Sequence, residues 1–98
     1  MSNQGLYDTV LIKEERSDDF NTYSYELIVR NGDSTASWRM PLYSIKVIMT
    51  DAKGNKKSAD AKDVFSNFDK AREFFTRIVN NLATPIDLAY ILEDEMSV

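Results

Sequence analysis

The chain contains neither cysteine nor histidine. Disulfides, thiol nucleophiles, thiolate or imidazole metal ligands and imidazole acid–base chemistry therefore lie outside its means. The Ser-His-Asp and Cys-His arrangements of hydrolases each lack members. Glycine is scarce: Gly5, Gly32 and Gly54 stand apart, and they cannot form a glycine-rich phosphate loop. Proline occurs only at Pro41 and Pro85, and tryptophan only at Trp38. No apolar run approaches the ~20 residues that a membrane-spanning helix needs. Met1-Ser2-Asn3-Gln4-Gly5 has no basic stretch leading into an apolar one, so no secretory signal is expected. Neither end carries a lipidation pattern. The expectation is a cytoplasmic protein with no membrane partner and no cofactor.

What is present is a chain of 98 residues, 43% apolar and 29% charged. That balance suits a folded domain rather than a disordered one. The length allows one domain, residues 1–98, with one core. Residues 1–5 are expected to be disordered, residues 6–65 to form a strand meander and residues 66–95 to form two helices.

The first strand is expected over Leu6 to Glu14, where β-formers dominate but Val10-Leu11-Ile12 interrupts the alternation. Phe20 to Arg30 is the clearest strand. Tyr23, Tyr25, Leu27 and Val29 share one face, while Thr22, Ser24, Glu26 and Arg30 share the other with Ile28. A third strand is expected over Ser37 to Thr50, with a fault at Pro41, which cannot donate to a ladder. Asp51 to Asn55 reads as a tight hairpin with Gly54 left-handed, and Lys56 to Phe65 as a fourth strand. The period then changes to 3.6. Ser66 and Asp69 have the spacing of a capping box ahead of the stripe Ala71, Phe74, Phe75, Ile78, Val79 and Leu82. Thr84, Pro85 and Asp87 start a second helix, whose apolar side is expected to be Leu88, Ala89, Ile91 and Leu92. The pattern ββββαα predicts an α+β fold: a four-stranded, mainly antiparallel meander with two C-terminal helices packed on one face.

No residue constellation supports catalysis. The acidic groups Asp18-Asp19 and Glu93-Asp94-Glu95 lack apolar surroundings in sequence, and they read as solvated charge. The second group would oppose the helix macrodipole, so either the helix stops before it or a base lies beside it. No metal site is expected. A calcium loop starting at Asp51 would need ligands where Lys53 and Lys62 stand.

The charges are segregated. Residues 1–37 carry 3 basic and 7 acidic groups, residues 38–77 carry 9 and 5, and residues 78–98 carry 0 and 4. Three readings follow: mutual softening within one subunit, complementary self-association, and a nucleic-acid patch. The candidate basic patch is Lys46, Lys53, Lys56 and Lys57. The acidic net charge of −4 disfavours nucleic acid. The candidate interface residues are Trp38, beside the Pro41 fault, and Ile28 and Ile48, apolar islands on the outer sheet face.

Ala83-Thr84-Pro85-Ile86-Asp87-Leu88-Ala89-Tyr90-Ile91-Leu92-Glu93-Asp94, preceded by the Phe74-to-Leu82 helix, resembles the C-terminal end of a family of short uncharacterised clostridial-type bacterial proteins. The strand segments Tyr23 to Val29 and Tyr43 to Val47 are similar in character. The resemblance implies a meander running into two helices, and it brings no activity or site. The expected function is a non-enzymatic protein-interaction or self-associating module with a protein partner or a second copy. The alternative is a binder of a small ligand or single-stranded nucleic acid on the open sheet face and lysine hairpin.

Overall fold

The computed structural model describes residues 7–31 and 41–96. Four antiparallel strands, β1 (Tyr7–Ser17), β2 (Asn21–Asn31), β3 (Leu42–Asp51) and β4 (Lys56–Phe65), form an open sheet in the order β1-β2-β3-β4. Two helices, α1 (Phe68–Asn80) and α2 (Pro85–Met96), follow and pack on one face. The chain is α+β, as the change of period predicts. Pro41 sits immediately ahead of β3, outside its ladder. The expected start of that strand at Ser37, and Trp38 with it, lies outside the described residues.

Alternation in β2 decides which face is covered. Tyr23, Tyr25, Leu27 and Val29 are all buried, joined from β3 by Ile45 and Val47. From above, α1 contributes Ala71, Phe74, Phe75, Ile78 and Val79, and α2 contributes Leu88. Each fully buried large apolar side chain gains about 1.5–3 kcal/mol on leaving water. This layer therefore drives folding. Tyr23 and Tyr25 stack with ring centroids 6.2 Å apart.

Two irregularities shape the sheet. The run Val10-Leu11-Ile12 breaks alternation because Leu11 is a bulge: Val10 pairs with Ile28, yet Ile12 pairs with Leu27. Val10 thus faces outward, and Ile12 faces the helices. In β4 the register shifts between Ala61, opposite Ile45, and Phe65, opposite Tyr43. Asp63 lies within this wider bulge in the left-handed region, at φ 56°.

The helix ends are set by local chemistry. The N-cap of α1 is Asn67, whose side chain accepts from the Lys70 amide at 3.0 Å. The cap therefore falls one residue after the expected Ser66, because Asn67 has the extended backbone (φ −116°, ψ 125°) from which an oxygen reaches the third helical amide. At the other end, the Ala83 amide donates to Ile78 O at 3.0 Å and the Leu82 amide to Val79 O at 3.2 Å. This is a Schellman motif with Leu82, at φ 50°, where glycine is usual. α2 starts at the expected Thr84-Pro85, and the structure adds a reciprocal pair of hydrogen bonds there. The Asp87 amide donates to Thr84 Oγ1, and the Thr84 amide donates to the Asp87 carboxylate, both at 3.1 Å.

Candidate functional site

The sheet face away from the helices carries Thr22, Ser24, Glu26, Ile28, Ser44, Lys46 and Ile48, the set that alternation assigns to it. Register then aligns residues that sequence could not align. Lys13, Glu26, Lys46 and Asp60 lie side by side across all four strands, alternating in sign. To one side of this row stand Val10, Ile28 and Ser44; to the other stand Glu15, Ser24, Ile48 and Ser58. The candidate residues Ile28 and Ile48 are therefore not brought together, because the charged row separates them.

A second charged group caps the far end of this face. The Arg30 guanidinium donates to Asp8 at 3.3 Å and to Asp63 Oδ2 at 3.1 Å. The Asp63 amide donates to Ser44 Oγ at 2.8 Å, which accounts for the burial of that serine. Asp63 Oδ1 is buried without a partner. Near the opposite end lies a shallow concavity of about 550 Å³, whose lining includes Lys13, Arg16, Thr22, Glu26, Thr50 and Lys56.

The candidate basic patch is also divided. Lys46 stands in register between Glu26 and Asp60. Lys53 lies in the β3–β4 turn, and Lys56 and Lys57 point to opposite faces at the start of β4. The turn itself is built on Asp51, whose carboxylate accepts from the Lys53 and Asn55 amides, each at 2.9 Å, with Gly54 at φ 89°. The Asn55 amide first, and the Lys53 amide after it, hold the Asp51 carboxyl below its ordinary pKa. Asp18 plays the same part in the β1–β2 turn. It accepts from the Tyr23 hydroxyl at 2.7 Å and from the Phe20 and Asn21 amides, and these bonds, the tyrosine first, lower its pKa. A carboxyl held ionised in this way is a turn anchor and a poor general acid. Burial pushes the Tyr25 hydroxyl up to about 12, and that hydroxyl donates to Ala83 O at 2.8 Å.

Both sheet edges are unsuited to pairing with another strand. β1 is bulged at Leu11 and carries Lys13, Glu14, Glu15 and Arg16; β4 is bulged at Asp63 and carries Lys56, Lys57 and Lys62.

The feature that sequence reading missed is on α2. Pro85 and Leu88 are buried, and Ile91 and Leu92 are partly buried, but Ile86 is 65% and Tyr90 67% exposed. These two stand one turn apart on one face, with Ala89, expected to face the core, exposed between them. Asp87, Glu93 and Asp94 surround them, and α2 contains no basic residue. The acidic run does not end the helix, which continues to Met96; instead Arg77 of α1 pairs with Glu95. Arg77 also lies over the Phe74 ring, 5.4 Å from its centroid. The available signal was the pair Ile86 and Tyr90 at i, i+4, off the stripe of a helix without lysine or arginine.

A family model described as a family of unknown function (DUF6514) matches residues 7–98. No curated protein and no solved structure matches the chain. Among the described residues there is no helix long and apolar enough to cross a membrane, and no cluster of carboxylates placed to hold a metal ion.

Proposed function

The chain belongs to DUF6514, a family of unknown function, and from its geometry we propose that it is a non-enzymatic protein-interaction module working in the cytoplasm. Its contact surface is the outward face of α2, and its partner presents a basic surface around an apolar group. The supporting observation is the exposure of Ile86 and Tyr90 one turn apart within an acidic rim. An exposed aromatic and aliphatic pair ringed by polar groups has the make-up of an interface centre with a polar rim. The described part of the sheet is less suited to an apolar contact. The open sheet face alternates in charge, and both edges are bulged and charged. The cytoplasmic part of the proposal is compatible with a chain that needs no disulfide.

The test is a shift-mapping titration of the labelled protein with a synthetic helical peptide of leucine and lysine. Perturbations centred on Ile86, Ala89 and Tyr90 are expected. They should vanish in I86K/Y90K, while stability stays within about 0.5 kcal/mol because neither side chain packs in the core. Absence of any perturbation on α2 rejects the proposal. A second reading, a small-ligand or single-stranded nucleic-acid binder, draws on the concavity around Thr22, Thr50 and Lys56. It predicts that oligothymidylate perturbs Ser24 and Thr50 instead, and that K56E/K57E abolishes the effect.

A further inference from the structure

Resting on that reading of α2, we propose that the basic surface it receives is carried by a second copy of this chain. The surface is the end of the sheet formed by the β3–β4 hairpin and the β1–β2 turn. Lys53, Lys56 and Lys57 are exposed there, with Lys56 and Lys57 on opposite faces of the strand end so that the charge wraps around it, and among the described residues none of them takes part in an ion pair. Phe20, in the adjacent turn, is 74% exposed, and the pairing of Asn21 with Asp51 places it next to the hairpin. Two of the three aspartates at this end are already engaged, and Asp19, beside Phe20, is exposed and leaves the three lysines in excess. Asp18 accepts from two amides and a tyrosine hydroxyl, and Asp51 from two amides and the Asn55 side chain. The lysine ammonium groups have no such internal partner, so their charge is directed outward.

α2 presents the counterpart. Glu95 is held by Arg77, but Glu93 and Asp94 are exposed and join no ion pair among the described residues. One chain thus displays an apolar group flanked by uncompensated lysines and, elsewhere, an apolar pair flanked by uncompensated carboxylates. No ion pair among the described residues joins the two sets within the subunit. Each surface therefore finds its complement on a neighbouring molecule. The contact is heterologous, with different surfaces on the two sides. Three apolar side chains and a few exposed charges make an area well below the ~1,600 Å² of a standard stable interface. The association is therefore weak, reversible and sensitive to salt.

The experiment is sedimentation equilibrium of the full chain up to millimolar concentration, at low and high salt. Two charge reversals accompany the wild type, K56E/K57E and E93K/D94K, each checked by circular dichroism and thermal midpoint. Wild type should associate with rising concentration and dissociate at high salt. Each reversal alone should weaken association by about tenfold or more, since it sets like charges face to face. An equimolar mixture of the two should recover it, because the acidic hairpin of one meets the basic helix of the other. Failure of the mixture to recover association overturns the proposal. So does loss of association in E93K/D94K but not in K56E/K57E, which marks a contact of helix with helix. A wild type that stays monomeric while the leucine–lysine peptide still perturbs Tyr90 removes the second copy and leaves the interaction reading standing. If the peptide also fails to perturb Tyr90, both fall.

Discussion

Tyr25 connects three consequences of one residue. Its ring is fully buried beside Tyr23, and its hydroxyl reaches across the core to the Ala83 carbonyl in the link between the helices. The bond ties the link between the helices to the sheet. Burial also raises the hydroxyl pKa from 10.0 to about 12, since a phenolate would lose its hydration. A group whose pKa is raised by folding contributes stability that is complete below the unfolded value and is lost as pH rises through the folded one. Here that window runs from 10.0 to about 12. Tyr25→Phe should therefore cost about 1 kcal/mol at neutral pH, through the lost hydrogen bond. Its disadvantage should shrink across that alkaline window, because phenylalanine has nothing to ionise. Urea unfolding at pH 7 and at pH 11.5 measures both; an equal deficit at the two values rejects the account. The burial of Tyr25 was legible, because it alternates with Leu27 and Val29. Its partner was not, because Ala83 lies 58 residues away and local pattern carries no information on such a contact.

At the scale of elements, the legible features were those written within a few residues. Thr84, Pro85 and Asp87 spell the start of α2, and the structure closes both hydrogen bonds of the box. Thr84→Ala should destabilise the protein by about 1 kcal/mol. Asp87→Ala should do the same, and the double variant should cost less than the sum, because each side chain serves the other's amide. Chemical denaturation of the three variants checks this; strict additivity would show that the two bonds act independently. The cap of α1 was misplaced by one residue because Ser66 and Asn67 are both good caps, and only the backbone conformation chooses between them. The bulge at Leu11 was visible as broken alternation, but its consequence was not. One inserted residue turns Val10 outward and Ile12 inward, and this keeps an apolar side chain over the core at the sheet's edge.

Over the whole molecule, charge is compensated on one side and uncompensated at two other places. The open sheet face has its charges in register, through the row Lys13, Glu26, Lys46 and Asp60 and through Arg30 between Asp8 and Asp63. Among the described residues, Lys53, Lys56 and Lys57 of the hairpin and Glu93 and Asp94 of α2 join no ion pair. Segment totals in the sequence expose the imbalance between residues 38–77 and 78–98. They conceal the row, because it depends on three strand registers at once. The two classes of charge should respond differently to reversal. Lys46→Glu places a carboxylate between Glu26 and Asp60, and like charges directly opposite on a sheet cost up to about 1 kcal/mol per pair. The variant should lose about 1 kcal/mol of stability in low salt and regain part of it at high ionic strength. Adding Glu26→Lys and Asp60→Lys rebuilds an alternating pattern over β2, β3 and β4, and most of the loss should return. Lys53→Glu, in the turn and opposite no charge, should leave stability unchanged. Thermal unfolding of these variants in low and high salt separates the cases. If Lys46→Glu and Lys53→Glu behave alike, the row is an accident of register, and the open face regains its claim as the binding surface.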